Sequence, residues 1–295
     1  MTTILVAGAT GFLGRATIAH LSSRGYRTIA LVRDLERAHR VLGRDVESIT
    51  WDDVERAVSS ADAVVNFSGE NIAAARWSAP RKAVLYSSRI EPTRRLVQAI
   101  GTAATKPRVL LNASAVGYYG SRDDEILTEN SPKGNGFLAD LCAVWENAAR
   151  QAESYCRVVR LRFGVVIGRD GGMLARLEPI VKTVGAVVPG SGRQWQSWVA
   201  LADAVSAIAW LLNRDSIAGA VNITAPQPVT IEELIRTLAR IHHRPVWFHI
   251  PEQVLRLALG QMAQTLTDST RVLPARLLEA GFHFEHAVVE SALLV

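Results

Sequence analysis

Short apolar runs alternate with amphipathic segments through the first half of the chain. Runs at Thr3–Ala7, Arg27–Val32, Ser48–Trp51, Ala63–Phe67, Arg108–Ala113 and Arg157–Phe163 read as strands. Between them, helical periodicity fits Gly11–Arg24, Leu35–Leu42, Trp51–Ser60, Ala79–Ala104 and Phe137–Tyr155. Strand alternating with helix predicts right-handed βαβ units and a parallel sheet. The runs Ala63-Val64-Val65 and Val109-Leu110-Leu111 have no polar face, which suits strands covered on both sides. Beyond about Gly168 the pattern loosens, punctuated by Gly171-Gly172, Gly185, Pro189 to Gly192, Pro226 and Pro228. A helix at Leu201–Asn213 and a strand at Val221–Thr224 predict a return to the main sheet. Thr230 is placed to cap a helix reaching about His242. Helices near Gln253–Gln264, Pro274–Ala280 and Ala287–Leu294 predict a smaller, mostly helical lobe.

Composition changes this picture little. The 295 residues are 48% hydrophobic and 21% charged, enough for an ordinary core. The net charge of +5 comes from scattered arginines, with only four lysines, so no nucleic-acid-binding stripe is expected. Cys142 and Cys156 form no disulfide framework, and the histidines lack ligand spacing, so no metal site is indicated. The two cysteines, outside any disulfide framework, suit a reducing, cytoplasmic setting, and no membrane span is expected because the longest apolar segment, Trp198 to Leu212, is short and carries Asp203.

The candidate chemistry begins at the first turn. Gly8-Ala9-Thr10-Gly11-Phe12-Leu13-Gly14 follows a strand and opens a helix. Gly8 permits the sharp turn, Gly11 removes a Cβ where a pyrophosphate approaches, and Gly14 allows close helix packing. The helix start adds free N–H groups and a partial positive charge. This predicts a dinucleotide site formed by Gly8, Thr10, Gly11, Phe12, Leu13 and Gly14. The second strand ends in Arg33-Asp34. An acidic residue there would bind the ribose 2′-OH of NAD, whereas a cation would pair with the 2′-phosphate of NADP. Arg33 takes that place and Asp34 reads as a helix cap, so NADP(H) is expected and NAD disfavoured.

The ordered set of motifs resembles the short-chain dehydrogenase/reductase superfamily, within it the atypical, nucleoside-diphosphate-sugar epimerase-like group. The matching pieces are Gly8 to Gly14, Asn66 to Glu70, Ser88-Arg89, Ser114 with Gly117-Tyr118-Tyr119-Gly120, Trp145-Glu146 and Arg162 to Gly168. Gly190 to Gln194, Trp198, Asp203 and the tail from Leu273 to Phe282 complete it; the tail looks like the group's C-terminal segment of unassigned role. The resemblance implies a Rossmann fold of about seven parallel strands. Residues 1–168, completed by about 197–224, would bind NADP, with Asn66, Ser68 and Gly69 contributing. Residues 169–196 and 225–295 would form the substrate-side lobe.

It also implies hydride transfer between a nicotinamide and a small molecule, with Ser114 and a tyrosine holding the reacting oxygen. Here the sequence departs from the superfamily. Leu138 and Cys142 stand where the Tyr-x-x-x-Lys pair belongs, and Arg89 replaces the usual asparagine. Ser114, Tyr118 and Arg89 are therefore the candidate catalytic residues, with Cys142 read as a structural thiol. Tyr119, Arg193, Gln194 and Trp198 are the candidate substrate contacts, and Arg193 suits an anionic group. The resemblance places Val165 where sugar-nucleotide enzymes usually carry an asparagine, and Gln196 where they carry the arginine that holds the diphosphate. The leading expectation is an NADP(H)-dependent oxidoreductase, monomer or homodimer, acting on a small molecule. A non-catalytic NADP(H) sensor and an NAD-retaining epimerase or dehydratase are the alternatives.

Overall fold

In the computed structural model of the chain, strand β1 (Thr3–Ala7) is buried along its whole length. Its side chains alternate between two core layers, Ile4 and Val6 in one, Leu5 and Ala7 in the other. The structure describes residues 1–294; Val295, the last residue of the expected smaller lobe, lies outside them. The chain continues through α1 (Phe12–Ser23), β2 (Arg27–Val32), α2 (Leu35–Leu42), β3 (Glu47–Thr50), α3 (Val54–Ser59) and β4 (Ala63–Asn66). Then come α4 (Ala79–Thr102), β5 (Val109–Ala115), α5 (Phe137–Arg150) and β6 (Arg157–Phe163). After a short excursion, α7 (Leu201–Leu212) leads into β10 (Gly219–Ile223).

These strands form one seven-stranded sheet in the order β10-β6-β5-β4-β1-β2-β3. Every pairing in it is parallel. The order reverses between β1 and β4, which is the Rossmann arrangement and leaves a crevice at the carboxyl ends of those strands. The expected α/β fold is the one observed. Strands β1, β2 and β6 and helix α2 keep the bounds that the apolar runs predict. The segment Trp51–Ser60 divides into a 3-10 turn at Trp51–Asp53 and α3.

The excursion holds strands too short for periodicity to reveal. These are β7 (Val165–Gly168), β8 (Ala186–Pro189) and β9 (Trp198–Ala200), with α6 (Leu174–Val184) after β7. Strand β7 pairs with β9 and with Gly171–Gly172 in a sheet separate from the main one. Helix α8 (Ile231–Ile241) begins at Thr230, whose side chain accepts from Glu233 N–H at 3.2 Å. Strand β11 (Val246–Ile250) then pairs with β8, ahead of α9 (Glu252–Leu259). A further core of Leu174, Val181, Trp198, Leu234 and Leu238 holds these pieces together.

The β1–α1 turn is the tightest place in the fold. Gly8 has φ +72, and a Cβ there would lie 2.7 Å from the Phe67 carbonyl carbon. A Cβ on Gly14 would strike the Gly8 carbonyl oxygen and sit 2.8 Å from Ala9 Cα. Gly43 also has positive φ, +87, but faces open space. Gly14→Ala is therefore expected to lose about 2–3 kcal/mol through backbone overpacking, against about 1 kcal/mol for Gly43→Ala. Urea denaturation checks this; equal losses for the two variants would contradict it.

Candidate functional site

The cradle at the end of β1 is assembled by its backbone. Gly11 caps α1 without any side-chain hydrogen bond, so the first N–H groups of the helix stay available to an anion. Gly11 is exposed, and Thr10, Phe12 and Leu13 are half-buried in the turn. Phe12 turns its ring onto three glycines: added Cβ atoms at Gly168, Gly171 and Gly172 would approach it to 3.0, 2.5 and 3.3 Å. Arg15 also bonds the Asp170 carbonyl, so the segment after β7 is strapped across the cradle.

The next loop is shaped by a buried carboxamide. Asn66 donates to Asn112 Oδ1 at 2.7 Å and Thr93 Oγ1 at 2.9 Å, and its Oδ1 accepts from Ser68 N–H at 3.0 Å. Asn66 is fully buried, and its side chain shapes the loop expected to line the cofactor. Ser68 is also buried, and Gly69 is the exposed member of the loop. Arg89 lies against Gly69, donating to the Glu70 carbonyl at 2.9 Å and the Leu85 carbonyl at 3.1 Å, with Trp145 beneath it. At the end of β2, Arg33 is largely exposed and 3.6 Å from Glu70. Asp34 caps α2, accepting from Arg37 N–H at 3.0 Å.

A second polar group crosses the sheet. Ser114 of β5, Arg162 of β6 and Asn222 of β10 are neighbours in register, one row across three strands. Below them α5 presents Glu146. Ser114 Oγ donates to Glu146 Oε1 at 2.8 Å, and Arg162 grips both carboxylate oxygens at 2.7 and 2.9 Å. Arg162 also donates to Tyr119 OH at 2.9 Å, and that hydroxyl donates to Asn222 Oδ1 at 2.7 Å. Asn222 Nδ2 then reaches the Leu273 carbonyl at 2.9 Å, in the C-terminal segment. Burial alone would lower the Arg162 pKa, but the bonds to Glu146 outweigh it and hold the cation firmly charged. Burial pushes the Tyr119 phenol up to about 12.

Residues 4–224 match the family described as NAD dependent epimerase/dehydratase, and residues 250–294 a domain of unknown function, DUF1731. The chain belongs to this epimerase/dehydratase family. Among curated relatives, the Mycobacterium bovis epimerase family protein Mb2239 is 39% identical over 98% of this chain and 96% of its own length. The Arabidopsis thaliana epimerase family protein SDR39U1 homolog, chloroplastic, is 36% identical over 99% of this chain and 85% of its own. A crystal structure of human epimerase family protein SDR39U1 with NADPH superposes with TM-score 0.91 at 29% identity, covering 99% of this chain and 98% of that one.

Within this family frame, the departures from Tyr-x-x-x-Lys have a structural setting. Leu138 and Cys142 face the 3-10 turn Val116–Tyr119: a Cβ on Gly117 would lie 3.2 Å from Leu138 Cβ and 3.9 Å from Cys142 Sγ. Burial, with Glu146 adding to it, pushes the Cys142 thiol up to about 11, far from a reactive thiolate. Tyr118 is half-buried, with its ring centroid 3.5 Å from the Arg162 guanidinium carbon.

Three of the expected substrate contacts lie inside the protein. Tyr119 is wholly buried and its hydroxyl is held on both sides, so it braces the row. Trp198 is 0% exposed in the smaller core, its Nε1 donating to the Gln227 carbonyl at 2.9 Å. Gln194 is buried, with Nε2 donating to the Pro189 and Leu266 carbonyls at 2.7 and 2.9 Å. Arg193 is exposed, and among the described residues its guanidinium makes no ion pair. Sequence reasoning assigned no role to Glu146, Arg162 or Asn222. The signal was a charged residue inside an apolar β6 run and another on the Leu138–Cys142 face of α5.

Removing one member of a buried ion pair strands the other. Arg162→Met is expected to cost about 3–5 kcal/mol in urea denaturation, while Arg162→Met with Glu146→Leu recovers most of that. A single-variant loss below about 1 kcal/mol would contradict the pairing. Cys142 is expected to resist iodoacetamide at about pH 8 in the folded protein and react only after unfolding. Mass spectrometry reads this, and rapid labelling of the native chain would refute it.

Proposed function

We propose that this protein binds NADP(H) and acts as an oxidoreductase on a small molecule, with a proton-transfer apparatus unlike the superfamily's usual one. The carrying observation is the glycine cradle: Cβ atoms at Gly8 or Gly14 would fill it with clashes, while its open side is bare at Gly11. Such a cradle fits a pyrophosphate, with the α1 N–H groups, Ser68 and Gly69 beside it. Arg33 suits a 2′-phosphate, since Asp34 is committed to its helix cap. The human relative solved with NADPH supports the same choice.

When bound, the cofactor supplies or accepts hydride. This chain's residues do the rest. Ser114 gives its proton to Glu146, so what it can present to a ligand is a lone pair. Arg89 fixes the Ser68–Glu70 loop through two carbonyls and acts as a positioning residue. Tyr118 is the phenol left to donate or take a proton, with the Arg162 guanidinium stacked on its ring. Arg193 supports an anionic substrate. A small-molecule partner and a cytoplasmic setting complete this reading, which suits two free cysteines; among the described residues no helix is long and apolar enough to cross a membrane.

A second reading, a non-catalytic NADP(H) sensor, is favoured by one observation. Leu138 has no proton to donate, and Cys142, a buried neutral thiol, cannot supply a fixed positive charge.

Calorimetric titration decides the cofactor. NADPH is expected to bind about tenfold or more tighter than NADH, with the difference lost in Arg33→Ala. Tighter NADH binding overturns the assignment. In a substrate screen following NADPH absorbance, Tyr118→Phe is expected to lower kcat about a hundredfold. Undiminished turnover removes Tyr118 from the mechanism, and no hydride transfer with any compound favours the sensor.

A further inference from the structure

Glu70 stands between two unlike arginines at the Arg33 edge of the cradle. Its Oε1 is 3.6 Å from Arg33 Nη2, and its Oε2 is 3.9 Å from Arg81 Nη1. The Glu70 backbone is pinned at both ends of its peptide groups. Its N–H donates to Ser88 Oγ at 3.1 Å, and its carbonyl accepts from Arg89 at 2.9 Å. Only the side chain is free to choose between partners.

The two partners differ in surroundings. The Arg33 side chain is 77% exposed and Arg81 only 17%. Arg81 donates one Nη to the Asn71 carbonyl at 2.6 Å, and its Nε is buried with no hydrogen-bond partner among the described residues. A buried guanidinium N–H without an acceptor is costly, and a less solvated cation attracts a carboxylate more strongly. Arg81 therefore has unfilled capacity for Glu70, whereas Arg33 is the cation open to an incoming ligand.

We propose that Glu70 is a latch that sets cofactor discrimination. Without ligand, its carboxylate is shared between Arg33 and Arg81. A 2′-phosphate that takes Arg33 drives the carboxylate wholly onto Arg81, because phosphate and carboxylate repel when both lie against one guanidinium. NADH carries no 2′-phosphate and leaves the latch closed. Glu70 thus holds down the affinity for the phosphorylated cofactor, and Arg81 relieves that restraint. This inference rests on the NADP(H) reading above.

The test is calorimetric titration of the full chain with NADPH and NADH at low and at high salt. Glu70→Gln is expected to bind NADPH about two- to fivefold tighter at low salt, with NADH unchanged and the gain shrinking as salt rises. Arg81→Met, which leaves Glu70 no second partner, is expected to weaken NADPH by a similar factor. Adding Glu70→Gln to Arg81→Met should erase that loss, so the two effects do not add. Unchanged or weaker NADPH binding in Glu70→Gln overturns the latch, as does an equal change for NADH or strict additivity. Wild-type preference for NADH brings down the NADP(H) reading itself, and the latch with it.

Discussion

The buried pair of Arg162 and Glu146 sets the terms for everything around it. Two charges removed from water must find their whole complement of partners inside the protein, or the fold loses more than their attraction returns. That requirement accounts for residues on four different elements. Ser114 and Arg162 bond the carboxylate, with Arg160 3.5 Å from it, and Tyr119 accepts from the guanidinium and passes its own proton to Asn222. A serine in this position elsewhere in the superfamily would be expected to face the substrate. Here its hydroxyl proton is already claimed by Glu146, which leaves it an acceptor.

The same row ties the C-terminal segment to the sheet. Asn222 reaches Leu273, and Glu129 accepts from the N–H groups of Asn222 and Arg276 at 3.0 and 3.4 Å. Burial raises the Glu129 carboxyl above its usual range, with these N–H bonds partly offsetting it. Farther along, Asp203 accepts from Glu285 and His286 N–H at 2.8 and 2.9 Å. The segment is thus fastened to the end of the sheet by buried acceptors. It is joined to the polar row, and through that row to the turn that carries Tyr118.

What the chain discloses before folding is what depends on near neighbours. The phosphate turn is local, so seven residues declare it. The role of Asp34 follows from a helix cap, again a matter of adjacent positions. The row of Ser114, Arg162 and Asn222 depends on the register of three strands separated by dozens of residues, and no local pattern encodes that register. The opposite surroundings of Tyr118 and Tyr119 are hidden for a similar reason. A 3-10 turn sets their rings at 88° to each other, sending one into the core and leaving the other half-exposed. Trp198 and Gln194 are expected at the substrate through the family resemblance, yet a short parallel pairing and two carbonyls draw them inward.

Phe12 packs on Gly168, Gly171 and Gly172, four positions in two distant parts of the chain whose volumes are complementary. An aromatic on one side requires bare backbone on the other. At Gly171 all three nearest neighbours of an added Cβ are Phe12 atoms, so a smaller residue at position 12 frees that position, whereas Gly172 stays bound by its φ of +68 and the Val166 carbonyl. Positions 12 and 171 should drift together among relatives, as a lock-and-key pair in volume, even where no chemistry passes between them.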